Sequence, residues 1–158
     1  MKGQDILVLM AVVAHPEVKW TFPDLAHALK LSASECPAAS QPLSDAGLID
    51  PTDRTPKAAA VEECLIHGLK YVFPCRPGAL VPGVPTAHSA EPLSKTIMSS
   101  PEDAYVWPHP RGSIQGFAIE PLYRSAPAAA LSDPELHKLL ALIDAIRVGR
   151  ARERSKAA

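Results

Sequence analysis

Apolar residues at helical spacing alternate along this chain with breaks marked by proline and glycine. Ile6 to Ala14 is apolar nearly all round, which predicts a buried helix over about Gln4–His15. Pro16 should end it, because the residue before a proline avoids the helical region. Val18–Phe22 is expected as a short strand. Thr21 then caps a second helix, with Pro23 in its first turn and Asp24 at the N3 position. Leu25, Ala26 and Leu29 fall on one face of it. Lys30 occupies the following turn, where Gly or Asn would tolerate a positive φ at lower cost. Ser32-Ala33-Ser34-Glu35 reads as a capping box for a third helix, Ala33 to about Asp45. Gly47 is a natural residue to close it.

Pro51, Thr52, Asp53 and Pro56 mark a turn. Lys57–Lys70 is expected as a further helix, with Ala58, Val61, Leu65 and Leu69 in one stripe. The middle of the chain contains a short echo. Tyr71-Val72-Phe73-Pro74-Cys75-Arg76-Pro77-Gly78 resembles Tyr105-Val106-Trp107-Pro108-His109-Pro110-Arg111-Gly112. Each reads as an aromatic strand end, a Pro/Arg/Gly turn and an apolar strand, so two hairpins are expected. Pro82–Glu102 between them has little hydrophobic period and reads as a long irregular loop. Ser132-Asp133-Pro134-Glu135 is a second capping box. It opens a helix whose stripe is Leu136, Leu139, Leu140, Ile143 and Ile146. Beyond Gly149 the chain is basic and is expected to fray.

The fold class expected is therefore mostly α with a small β component. The chain divides into residues 1–70, a Pro-rich β-hairpin segment over 71–128, and a C-terminal helix with a basic tail over 129–158. Composition sharpens this in three ways. A length of 158 residues with 47% hydrophobic content allows a real core. Seventeen prolines, about twice the usual share, argue against a long helical bundle in the middle. A net charge of −1 gives no global basic field, so a nucleic-acid binder must concentrate its cations locally. The obvious concentration is Arg147, Arg150, Arg152, Arg154 and Lys156.

Three scattered cysteines without a CxxC pair point to a reducing, cytoplasmic setting. Cys64, His67 and Cys75 lack a fourth ligand at suitable spacing, and no metal or cofactor is expected. Lys2 followed by Ile6–Ala14 faintly resembles an export signal, but Asp5 interrupts it and the run is needed as a core helix. It is too short to span a bilayer, so no membrane partner is expected. The six histidines are dispersed, with no HExxH arrangement, nucleophile elbow or glycine-rich phosphate loop. An enzyme is not expected.

Leu25-Ala26, Leu29, Leu31-Ser32, Ser34-Glu35, Leu43 and Ala46-Gly47-Leu48-Ile49 resemble the winged helix-turn-helix of MarR-like bacterial transcription regulators. The resemblance covers roughly the first third of the chain. It implies a DNA-binding transcriptional regulator that acts as a homodimer on double-stranded DNA. In that family the third helix enters the major groove and a following β-hairpin touches the minor groove. Carried over, the groove-facing residues are Ser34, Ala38, Ser40 and Gln41. Gln41 is suited to reading adenine and Ser34 to holding a phosphate. Arg76, at the tip of the first expected hairpin, would serve as a displaced wing, and Arg150, Arg152 and Arg154 would meet backbone phosphates.

Two departures support an alternative. The third helix carries no Arg or Lys, and Pro42 stands in its interior. A protein-interaction module on the same fold would instead use the Pro-rich aromatic segment, with Tyr71, Phe73, Tyr105, Trp107, Phe117 and Tyr123, to hold a protein partner. The stripe of the last helix serves either a dimer or packing within the chain.

Overall fold

The computed structural model describes residues 1–158. The chain is mostly helical, with one small three-stranded sheet. Helix α1 (Gly3–Ala14) is the hub of the core. Six consecutive residues, Ile6 to Ala11, are all buried, so every face of the helix meets protein. Asp5 turns back to accept a hydrogen bond from the Lys2 N–H at 2.6 Å and closes the first turn. Helices α2 (Phe22–Leu29) and α3 (Glu35–Asp45) pack on it, as does the long helix α7 described below.

Local chemistry explains the connections. Thr21 and Asp24 form the expected reciprocal cap of α2. Lys30 ends that helix at φ 56°, in the left-handed region, and its N–H returns to the carbonyls of Ala26 and His27. Ser32 and Glu35 keep half of the expected box: the Ser32 N–H donates to Glu35 Oε2 at 2.6 Å, and α3 starts at Glu35 rather than Ala33. Pro42 lies within α3, which continues to Asp45. Gly47 follows at φ 72°, and the Leu48 N–H reaches the Leu43 carbonyl.

Leu48–Lys57 then doubles back on itself. Lys57 donates to Leu48, Asp50 donates to Thr55, and Ile49 bridges Pro56 antiparallel. This is a turn-back closed by a single bridge, where the sequence marks only a turn. Val18–Phe22, expected as a strand, forms none; α2 takes up its last residue.

The next helix runs as α4 (Ala58–Glu63), a π-helical stretch (Cys64–Gly68) and α5 (Leu69–Val72). Tyr71 and Val72 are thus helical, and the first expected hairpin is absent. Phe73–Ala79 leads without regular structure into β1 (Leu80–Pro85). The sheet adds β2 (Tyr105–Pro108) and β3 (Ile114–Ala118). Here too the hairpin expectation fails, because β2 and β3 run parallel and β1 is antiparallel to both. Val84 pairs with Trp107 and Leu80 with Phe117. A parallel pair normally needs a crossover of about a dozen residues. Here the paired residues, Tyr105 with Phe117 and Val106 with Ala118, are twelve apart, and in the turn between them backbone passes close to backbone. A Cβ on Gly112 would lie 2.3 Å from Gly83 Cα, and one on Gly83 would lie 2.1 Å from the Trp107 carbonyl oxygen.

Helix α6 (Ala126–Ser132) leads into α7 (Pro134–Val148). The cap of α7 is Asp133, not Ser132: its carboxylate accepts from the Leu136 N–H at 3.1 Å. Leu136, Leu140, Ile143 and Ile146 are buried, so the stripe packs within the chain. The tail expected to fray forms helix α8 (Ala151–Ala157). One apolar cluster joins Ile6–Ala11, Leu29 and Leu43 to Val84, Trp107 and Ile119, and on to Leu136 and Leu140. All three segments read from the sequence contribute to it. No helix is long and apolar enough to cross a membrane.

Candidate functional site

Helix α3 presents one open face. Ser34, Ala38, Gln41 and Asp45 are exposed at spacings of four, three and four residues, which place them along one side of a helix. Ser40 departs from that face. It is half-buried and lines an apolar groove with Leu43. Gln41 Nε2 donates to Asp45 Oδ1 at 2.7 Å, which fixes the amide along the helix. Ser34 Oγ lies 3.3 Å from Ser32 Oγ. Cations flank this helix rather than sit on it. Lys30 is exposed in the preceding turn, and Arg54 and Lys57 are exposed on the Leu48–Lys57 turn-back. Arg54 takes a left-handed φ of 64° and lays its guanidinium 4.4 Å above the Phe22 ring.

Glu35 ties α3 to the far end of the β segment. Its carboxylate accepts from the Tyr123 hydroxyl and the Ser32 N–H, and Arg124 Nη2 lies 4.0 Å away. Those donors, the Tyr123 hydroxyl first, hold its carboxyl down to about 2.

A second polar centre is buried at α7. Asp144, 1% exposed, accepts from Thr86 Oγ1 at 2.7 Å, Trp107 Nε1 at 2.6 Å and Arg147 Nη1 at 2.6 Å. Arg147 also donates from Nε to the Phe73 carbonyl at 2.9 Å and from Nη1 to that of Glu120 at 3.1 Å. Burial pushes the Asp144 carboxyl up, against the pull of Arg147 and the two other donors. His137 Nε2 donates to the Pro85 carbonyl at 2.7 Å and its ring lies 5.4 Å from that of Trp107. This network pins both β1 and β2 to α7. It removes two residues from the surface inventory: Arg147 is buried and leaves the basic run, and Trp107 is core rather than a docking aromatic. Trp107 was not legible as core from sequence, since its partner lies 37 residues away, whereas Arg147 meets Asp144 one turn back on the same helix.

The remaining arginines stand elsewhere. Arg76 is exposed in the extended segment before β1, with no hairpin around it. Pro77 and Gly78, just beyond it, line a polar cleft of about 520 Å³ with Arg150 and Arg152 of the α8 region. Arg154 is exposed on α8. The cleft also takes in His88, Ser99 and Ser100, from the loop that sequence marked only by its length, and Tyr105 at the start of β2. Ala87, fully buried before His88, holds a left-handed φ of 51°, a strained setting for a residue with a Cβ. A larger groove of about 800 Å³, mostly apolar, lies between α1, α2, α4 and α7. Trp20 Nε1, buried without a partner, belongs to a residue that lines it.

Compared with protein-family models, with curated proteins and with solved structures, the chain gives no match.

Proposed function

We propose that the chain is a DNA-binding transcriptional regulator, whose first 57 residues form a winged helix-turn-helix. In this reading α2, the Lys30 turn and α3 are the helix-turn-helix, and Leu48–Lys57 is a minimal wing that directly follows it. The observation that carries the reading is the left-handed Lys30 turn between two helices packed on α1, followed at once by the Ile49–Pro56 bridge. Ser34, Ala38 and Gln41 face the major groove, and the amide of Gln41 must leave Asp45 to read a base. Phosphates are met by Lys30, Arg54 and Lys57 at the flanks of α3, with Arg154 further off; Arg150 and Arg152, expected on backbone phosphates, line the polar cleft and are left out of this set. So few cations imply modest affinity and a shallow salt dependence, about −0.9 in log–log slope for each contact.

A homodimer remains part of the proposal. Since Leu136, Leu140, Ile143 and Ile146 of the α7 stripe are buried within the chain, the second copy is left its half-buried Leu139, with Leu142, on the apolar groove.

One observation favours the alternative of a protein-interaction module: Tyr71, Val72, Leu80 and Met98 are large, apolar and well exposed, Met98 at 98%. The test is fluorescence anisotropy of the full chain against duplex DNA from its own upstream region and a scrambled duplex. Preference for the native duplex, lost in Gln41→Ala, supports the regulator. Equal, weak binding to both duplexes removes it and leaves the protein-interaction reading.

A further inference from the structure

We propose that the cleft between the Pro77–Gly78 segment, the Ile97–Ala104 loop and α8 binds a nucleotide, a planar base carrying a phosphate. This goes beyond the duplex-binding reading and rests on different residues. Its volume of about 520 Å³ falls in the range of small-ligand sites. Arg150 and Arg152 line it, and neither guanidinium has a carboxylate within ion-pair distance or a hydrogen bond within the chain. Planar guanidinium forks suit the oxygens of a phosphate. Tyr105 and Phe117, both half-buried, line the same cleft and offer rings against which a base can stack.

His88 supplies the strongest pointer. Its Nε2 lies 2.9 Å from the backbone carbonyl oxygen of Asp103, which can only accept, so Nε2 carries the hydrogen. Nδ1 is then left without any partner, although His88 is only 4% exposed and lines the cleft. A buried acceptor without a donor is costly. A donor from a ligand satisfies it. Ser99 and Ser100 add hydroxyls at the rim. Asp103 and Glu153 also face the cleft, Glu153 being held by the Arg150 N–H. Carboxylates beside arginines disfavour a bare inorganic anion. They suit a ligand that donates from one end, as an exocyclic amine of a base does, and accepts at the other. No glycine-rich cradle is present, so side chains must hold the phosphate.

The experiment is calorimetric titration of the full chain at low salt with adenosine 5′-monophosphate, adenosine, inorganic phosphate and a 5′-phosphorylated single-stranded oligonucleotide. The account expects saturable binding of the monophosphate at one per chain, with adenosine and phosphate each weaker by about tenfold or more. Arg150→Gln with Arg152→Gln should weaken the monophosphate by about tenfold while melting temperature and duplex affinity stay unchanged. Both arginines are exposed, so the pair should fold; if it does not, Arg152→Gln alone carries the same test. Tighter binding of the oligonucleotide than of the monophosphate assigns the site to a strand end, and the reverse assigns it to a free nucleotide. The proposal is overturned if neither binds at millimolar concentration, or if phosphate binds as well as the monophosphate. It is also overturned if the paired substitution lowers duplex affinity and leaves the titration unchanged.

Discussion

The first 57 residues and the segment from Phe73 to Arg124 are built on different principles. The helical unit is held by apolar side chains at short range: Leu25, Ala26 and Leu29 on one helix, Cys36, Ala39 and Leu43 on the next, all against α1. Each junction has its own local device, the Thr21 cap, the Lys30 turn and the Gly47 turn. The β segment has short strands, three prolines within or at the ends of them, and three glycines in close backbone contact. Its order comes from one buried carboxylate that collects donors from β1's end, from β2 and from α7. The difference teaches that a proline-rich segment can be ordered from outside itself, by a polar anchor on a helix far along the chain.

The comparison can be broken most sharply at Asp144. Replacing it with Ala leaves the Arg147 guanidinium buried without its charge partner, and Thr86 and Trp107 without an acceptor. The expected loss is about 3–5 kcal/mol, read by urea unfolding. Near-ultraviolet circular dichroism should lose the Trp107 signal while far-ultraviolet helicity largely persists. A small loss with an intact Trp107 signal would show that the strands hold themselves. Leu29→Ala, at a fully buried site of the helical unit, should cost about 2–5 kcal/mol and lower helicity and stability together. Thr21→Ala removes one side of the α2 cap and should cost about 1 kcal/mol. That is small against Asp144→Ala, which is the sense of the comparison.

The weakest expected effect joins the two regions. Glu35 on α3 is held down to about 2, from an ordinary 4.5, chiefly by the hydroxyl of Tyr123. A carboxyl lowered in the folded state favours folding when ionised. Its contribution is therefore complete above about pH 4.5 and is lost as pH falls toward about 2. Melting temperature against pH should fall more steeply over that window for the native chain than for Glu35→Gln. Parallel curves would remove the contact as a link between the regions.

The same contrast governs what could be read in advance. The helices of the first third were legible because their signals lie within a turn or two: Thr21 with Asp24, apolar spacing at Leu25 and Leu29, and glycine at 47. Even the unusual turn at Lys30 was visible as a place where positive φ was required. The β segment misled because its aromatic-proline-glycine echo describes turns but not partners. Tyr71 and Val72 continue the helix expected to end at Lys70 instead of opening a strand, and β2 and β3 both choose β1. The cleft assembled from residues 77–78, 88–105 and 150–153 was invisible for the same reason, though its arginines and its long loop were each marked separately. Arg147 and Arg150 look alike in sequence, yet one is buried against Asp144 and the other is exposed along the cleft.

The central claim is that duplex DNA meets the helical unit and not the cleft. Duplex affinity measured over a salt series tests it most directly, for the native chain, for Lys30→Asn with Lys57→Gln, and for Arg150→Gln with Arg152→Gln. Lys30→Asn keeps a residue that tolerates the left-handed turn. The account predicts weaker binding by the lysine pair and a log–log salt slope shallower by about 1.8, for two lost phosphate contacts. It predicts no change for the arginine pair. An unchanged slope for the lysine pair, with the loss appearing in the arginine pair instead, would contradict it.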